Sequence, residues 1–102
     1  MECEAIQPCS IAVVVPNFNK AKTIVASVES VLRQTHSPAE VILVDDGSSD
    51  DSLDVLDQAD LLKQVTLLIQ QNEGPGPARN AGWRACSAEW VAFLDADDLW
   101  AP

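Results

Sequence analysis

Four short apolar runs punctuate the chain: Ile11-Ala-Val-Val-Val15, Val41-Ile-Leu-Val44, Val65-Thr-Leu-Leu-Ile69 and Val91-Ala-Phe-Leu94. They do not alternate with polar residues, which predicts strands buried on both faces. Pro16 is expected to stop the first. Between the first two, Ile24, Val25, Val28, Val31 and Leu32 recur at helical spacing, and Pro38 closes the segment. A second helix is predicted with Ser48 or Ser49 as its cap. Asp50 and Asp51 in its first turn suit the positive end of the dipole, and Leu53, Leu56 and Ala59 face inward. After the turn-rich stretch Asn72–Pro77, residues Ala78, Ala81, Gly82 and Ala85 form a stripe of small side chains. Pro77 suits the first position of that helix, and the stripe lets it lie close against a sheet.

The predicted order is βαβαβαβ with short connections, which calls for an α/β fold: a mostly parallel sheet flanked by helices. At 102 residues the chain holds one domain at most. In open α/β sheets ligands sit beyond the carboxyl ends of the strands. The unusual polar residues follow strand ends: Asn17 to Lys20, Asp45 to Asp50, Glu73 to Asn80 and Asp95 to Asp98.

Charge narrows the partners. The formal charge is −10, from 6 basic and 16 acidic side chains. That argues against a nucleic-acid backbone partner, which needs a basic face, and against an anionic membrane surface. The apolar stretches reach about five residues, far short of a membrane span, and Met1-Glu-Cys-Glu4 does not open a signal peptide. Cys3, Cys9 and Cys86 with a single histidine are neither a disulfide frame nor a zinc site. Reduced thiols in a cytoplasmic protein are expected.

Two acidic strand ends carry the candidate chemistry. Asp95, Asp97 and Asp98 follow one apolar run, and Val44-Asp-Asp-Gly-Ser-Ser-Asp50 contains another acidic turn. Clustered carboxylates are costly to leave unpaired, and a divalent cation relieves them. A site for a nucleotide and a hard metal ion is the expectation.

Four segments carry a resemblance. Val14-Val-Pro-Asn-Phe-Asn19, Val44–Asp50, Gly76-Pro-Ala-Arg-Asn-Ala-Gly82 and Phe93-Leu-Asp-Ala-Asp-Asp98 are similar, in order and spacing, to the successive motifs of family 2 inverting glycosyltransferases with the GT-A fold. The resemblance runs from about residue 10 to the end. It implies a three-layer Rossmann-like sheet in strand order 3-2-1-4, truncated after the fourth strand, with residues 1–9 as a tail. It also implies binding of a nucleotide-diphosphate sugar, a UDP-sugar favoured. The backbone around Pro16, Asn17 and Phe18, with Asn19 beside it, would cradle the base. Asp46 would accept a hydrogen bond from it, because a carboxylate accepts from a ring N–H; Asp45 reads more simply as part of a polar turn.

Asp95-Ala96-Asp97 resembles the family's D-x-D motif. Residues two apart in an extended chain point the same way, so both carboxylates can face one site. The resemblance makes Asp97 the ligand of Mn2+ or Mg2+, a hard cation with oxygen ligands, and sets Asp95 towards the ribose. Asp98 either joins the motif or caps a following helix. Arg79 either reaches a phosphate or holds an acidic turn in place, Gly76 and Asn80 shape the loop, and Lys20 either approaches the diphosphate or is a solvated lysine. His36, Trp83 and Trp90 read as structural; Trp100 lines the sugar pocket or packs.

The family's catalytic domain is about twice this length. The general base that inverting transfer needs matches no motif here and is expected in the missing half. Residues 10–102 therefore read as the donor-binding half. The alternative is a nucleotide-binding module without catalysis in isolation. A phosphoacceptor signalling domain leaves the Asp-x-Asp and Arg79-Asn80 unexplained, and a dinucleotide-binding domain lacks G-x-G-x-x-G after strand one. With strand four as an edge, unpaired backbone groups beside apolar side chains predict a homodimer through that edge.

Overall fold

In a computed structural model that describes residues 11–34 and 38–99, the apolar runs are strands and helices lie between them. The elements are β1 Ile11–Asn17, α1 Ile24–Leu32, β2 Glu40–Asp45, α2 Ser52–Gln58, β3 Thr66–Ile69, α3 Pro75–Ala85 and β4 Trp90–Phe93, with a 3-10 turn at Leu62–Gln64. The strands form one parallel sheet in the order β3-β2-β1-β4. The tail, His36 and Trp100 lie outside the described residues, as do Cys3 and Cys9.

The runs do not alternate because both faces of the sheet are covered. Val13 and Val15 of β1 join Val41 and Leu43 of β2 under α1 and α2, with Ile24, Val28, Val31 and Leu56 from those helices. Val14, Ile42 and Val44 point to the other face and meet Ala78 of α3. Successive strand residues face opposite ways, so a strand covered on both sides must be apolar at every position. The small-residue stripe works as predicted over most of its length. A Cβ built on Gly82 would lie 2.3 Å from Val14 Cγ1 and 3.2 Å from Val44 Cγ2, so only glycine allows this approach. Ala85 is exposed instead.

Several boundaries differ from the expectations, each for a physical reason. β1 continues through Pro16 to Asn17, which pairs with Asp45. The Val14 carbonyl accepts from Leu94 N–H, so even-numbered β1 residues address β4. The β4 pairing ends at Val14, so the N–H that Pro16 lacks falls where no strand needs it.

Neither Ser48 nor Ser49 caps α2, which begins at Ser52. The Asp50 carboxylate instead accepts from Ser52 N–H at 3.0 Å and from the Ser52 hydroxyl. Ala59 is exposed because the helix stops there. Asp60 takes a left-handed conformation (φ 64°), with its N–H on Asp57 O and Leu61 N–H on Leu56 O. That is the double bond of a Schellman turn, and Leu61 and Leu56 pack in the same core.

α3 starts at Pro75, two residues before the proline expected to open it. First-turn N–H groups have no intrahelical partner, so Pro75 and Pro77 are both tolerated there. Trp83 and Trp90, expected to pack, are 57% and 62% exposed.

Candidate functional site

The four strand ends converge on one cleft of about 440 Å³. Pro16, Asn17, Phe18 and Lys20 reach it from the end of β1, and Asp46 from the end of β2. Asn72, Gly74, Pro75, Ala78 and Arg79 line it from the loop and first turns of α3, and Asp95, Ala96 and Asp97 from the end of β4. Most of the residues singled out in the sequence are thus neighbours. Asn19, Gly76 and Asn80 do not line the cleft. Gly76 and Asn80 are exposed helix residues rather than shapers of a loop, and a Cβ on Gly76 would meet nothing.

The floor is a buried polar lattice. Asn17 is 1% exposed; its Nδ2 donates to Asp45 Oδ1 at 2.9 Å and to Ser48 Oγ at 3.2 Å. Asp45 also accepts from Ser48 N–H and from the Ser48 hydroxyl. Asn19, in a left-handed conformation that asparagine tolerates, accepts at Oδ1 from the N–H groups of Ser49 and Asp50. Asp50 accepts in turn from Ala21 N–H. The β1 and β2 loops are stitched together by these bonds, buried at Asn17 and Asp45 and exposed at Asn19 and Asp50. Asn17 Oδ1 is buried with no hydrogen-bond partner among the described residues, an arrangement costly enough to favour a bound donor or water there.

Asp46 is also buried. Its Oδ1 accepts from Gln70 Nε2 at 2.8 Å and Glu73 N–H at 2.7 Å, and its Oδ2 from Gly74 N–H at 2.9 Å. Burial pushes this carboxyl up, but the bonds from Gln70, Glu73 and Gly74 together outweigh it and hold the group below its ordinary value. Asp46 is ionised at neutral pH and remains an acceptor. Gly47 brings the loop close enough for this: its φ is 75°, and a Cβ there would lie 2.9 Å from Asn72 N.

The acidic end of β4 is a turn rather than an extended segment, with Asp98 N–H on Asp95 O at 2.9 Å. The turn gathers Asp95, Asp97 and Asp98, whose ligand oxygens lie within 4.8 Å of one another. Asp98 thus lies beside the pair; the following helix that it was otherwise expected to cap falls outside the described residues. Two cations face the cluster: Arg79 Nη2 is 3.2 Å from Asp95 Oδ1, and Lys20 Nζ is 3.7 Å from Asp97 Oδ2. Of its two expected roles, Arg79 here holds the acidic turn. These exposed ion pairs contribute little stability. Three hard oxygen donors with two cations beside them suit Mg2+ or Mn2+ next to a phosphate ligand.

Two residues that support the turn carried no signal in the sequence. Thr23 Oγ1 donates to Ala96 O at 2.8 Å, and Ser27 Oγ lies 2.9 Å from Ala96 O and 2.5 Å from Asp98 O. They sit at the start of α1, about seventy residues away in the chain, where serine and threonine read as ordinary helix positions. Gln70 was likewise unmarked. No local pattern could have found any of the three. Among the described residues no helix is long and apolar enough to cross a membrane.

Comparison with known proteins gives a consistent result. The family model described as Glycosyl transferase family 2 matches residues 12–102. An uncharacterized glycosyltransferase of Nostoc sp. is 46% identical over 94 residues, covering 90% of this chain and 29% of its own length. The structure of S. aureus TarS 1-349 in complex with UDP superposes with a TM-score of 0.73 at 31% identity, over 88% of this chain and 28% of that one. The mannosyltransferase PcManGT of Pyrobaculum calidifontis, in complex with GDP-Man and Mn2+, gives 0.79 at 26% identity, over 92% and 29%. The chain spans about three-tenths of the length of each of these proteins.

Proposed function

Because the chain belongs to glycosyl transferase family 2, we propose that its cleft binds a UDP-sugar and that residues 10–102 form the donor-binding half of an inverting transferase. The observation that carries this reading is the meeting of two acidic strand ends in one cleft. Asp46, buried and ionised, supplies an acceptor for a base, and Asp95, Asp97 and Asp98 supply oxygen ligands for a cation. The UDP complex of TarS and the Mn2+ complex of PcManGT support the ligand classes.

Each residue then has a physical task. The Phe18 ring, 41% exposed at the cleft, offers an apolar face for the base. Asp46 accepts from the base N–H. Asp95 lies towards the ribose, and Asp97, with Asp98 beside it, holds Mn2+ or Mg2+. Such an ion, when bound, supplies Lewis-acid charge for the departing diphosphate. Arg79 and Lys20, which stand beside Asp95 and Asp97, would offer their charge to the phosphates.

In the transfer, an acceptor hydroxyl oxygen attacks the anomeric carbon from the face opposite the diphosphate. The bond from that carbon to the phosphate oxygen breaks, and the hydroxyl proton passes to a base. The acidic residues of the cleft are committed to base, ribose and cation, so the general base is assigned to the longer protein. Reduced thiols and a nucleotide-sugar donor both fit a cytoplasmic setting. The outer edge of β4, unpaired among the described residues and with Trp90 and Phe93 exposed, is proposed to pair with a second copy.

Calorimetry with UDP, with and without Mn2+, tests the site. UDP binding that strengthens with Mn2+ and loses that dependence in Asp97→Ala is expected, with a smaller loss in Asp95→Ala. Equal UDP affinity in the presence and absence of Mn2+, unaltered by Asp97→Ala, would refute the metal assignment.

A further inference from the structure

The hydrogen bonds to Asp46 are divided unevenly between its two oxygens. A carboxylate offers about four acceptor positions, two on each oxygen. Oδ1 holds two donors, Gln70 Nε2 and Glu73 N–H, whereas Oδ2 holds one, Gly74 N–H. Oδ1 is therefore full, and Oδ2 keeps a single vacant position at a residue that lines the cleft. Nucleobases differ in how many acceptors they ask for. The imide edge of uracil presents one N–H between two carbonyls. The corresponding edge of guanine presents N1–H and N2–H side by side, a pair that matches one free position on each oxygen of a carboxylate.

We propose that Gln70 is a specificity-determining residue: by occupying Oδ1 of Asp46 it leaves one acceptor, which suits uracil and rejects guanine. The inference rests on the reading of the cleft as a nucleotide site and adds to it the residue that selects the base. Gln70 does not line the cleft and acts through Asp46. Its place is fixed by the fold, since Gln70 N–H donates to Asp45 O at 2.9 Å at the end of β3. That bond sets its side chain one strand away from Asp46. Leaving a competitor's donor unpaired in a buried site is an effective way to reject it.

Calorimetry of this chain with UDP and with GDP, each with Mn2+, tests the proposal. The wild type is expected to favour UDP. Gln70→Leu frees one position on Oδ1 and should narrow the UDP-over-GDP preference by about tenfold, the order of one hydrogen bond to a charged group. Gln70→Lys, which restores a donor of similar reach, should keep the preference, as should the neighbouring control Gln71→Leu. A residue that only holds the loop would weaken both nucleotides alike, so an unchanged ratio in Gln70→Leu overturns the proposal. So does a wild type that favours GDP, or equal loss of preference in the leucine and lysine variants. A wild type that binds neither nucleotide overturns the nucleotide-site reading itself, and the Gln70 inference with it.

Discussion

Replacing Asp46 with asparagine exchanges one acceptor for a donor while keeping the shape of the side chain. Three protein donors converge on this carboxylate: Gln70 Nε2, Glu73 N–H and Gly74 N–H. In the better orientation the amide oxygen stays with Gln70 and Glu73, and the amide nitrogen then faces Gly74 N–H, donor against donor. A hydrogen bond to a charged group contributes about 1.5–3 kcal/mol, and a neutral one about half that. Losing the Gly74 bond and weakening the other two therefore costs the loop about 3–6 kcal/mol, less whatever it recovers by shifting. For a domain of this size each kcal/mol corresponds to a melting shift of about 4–8 °C.

Binding has its own cost. The nitrogen that replaces Oδ2 cannot accept from a base N–H, so UDP affinity should fall by about 10–100-fold. Urea denaturation reads the first effect and calorimetry with UDP the second. Asp45→Asn is the matched control. Asp45 holds Asn17 and Ser48 but does not line the cleft, so it should lose stability with a smaller change in UDP binding. Wild-type UDP affinity in Asp46→Asn would refute the argument, and the reverse ranking would move the base-binding role to Asp45.

Further expectations follow from the packing and the charges. Gly82→Ala forces a methyl to within 2.3 Å of Val14 Cγ1. Against a gain of about 1 kcal/mol in helix propensity, overpacking of about 1–3 kcal/mol or more should leave it destabilised in urea; an equally stable or more stable variant would show that α3 can lift off the sheet freely. Asp46 and Asp50 are both held below the ordinary carboxylate value of 3.8. In Asp50, desolvation acts upwards and is outweighed by bonds from Ser52, Ala21 N–H and its own backbone. A depressed carboxyl favours the fold above its unfolded value, so stability should be flat at neutral pH and fall as pH drops below 3.8. Stability that rises on acidification through that range would contradict these contacts. The β4 edge predicts concentration-dependent association by light scattering, reduced by an exposed lysine in Trp90→Lys; a monomer at all concentrations would remove the edge from consideration.

The strands, their order along the chain and the helices between them were legible in the sequence. Burial on both faces leaves a direct mark, an unbroken apolar run such as Ile11–Val15, and helical burial leaves the spacing of Ile24, Val28 and Val31. The acidic strand ends were legible for the same local reason: Asp46, Asp95 and Asp97 each follow a strand that must end. Tertiary structure alone decided how those ends are held. Thr23 and Ser27 support the Ala96–Asp98 turn, and Gln70 reaches Asp46, because parallel pairing brings together residues that are far apart in sequence. It also decided that Pro16 lies inside β1, since only the sheet shows that its missing N–H has no strand to meet. Trp83 and Trp90 were misjudged because hydrophobicity gives a side chain's preference, whereas exposure depends on which surface the fold leaves uncovered. A sequence pattern records constraints between near neighbours; a hydrogen bond between distant ones exists only once the chain has closed around it.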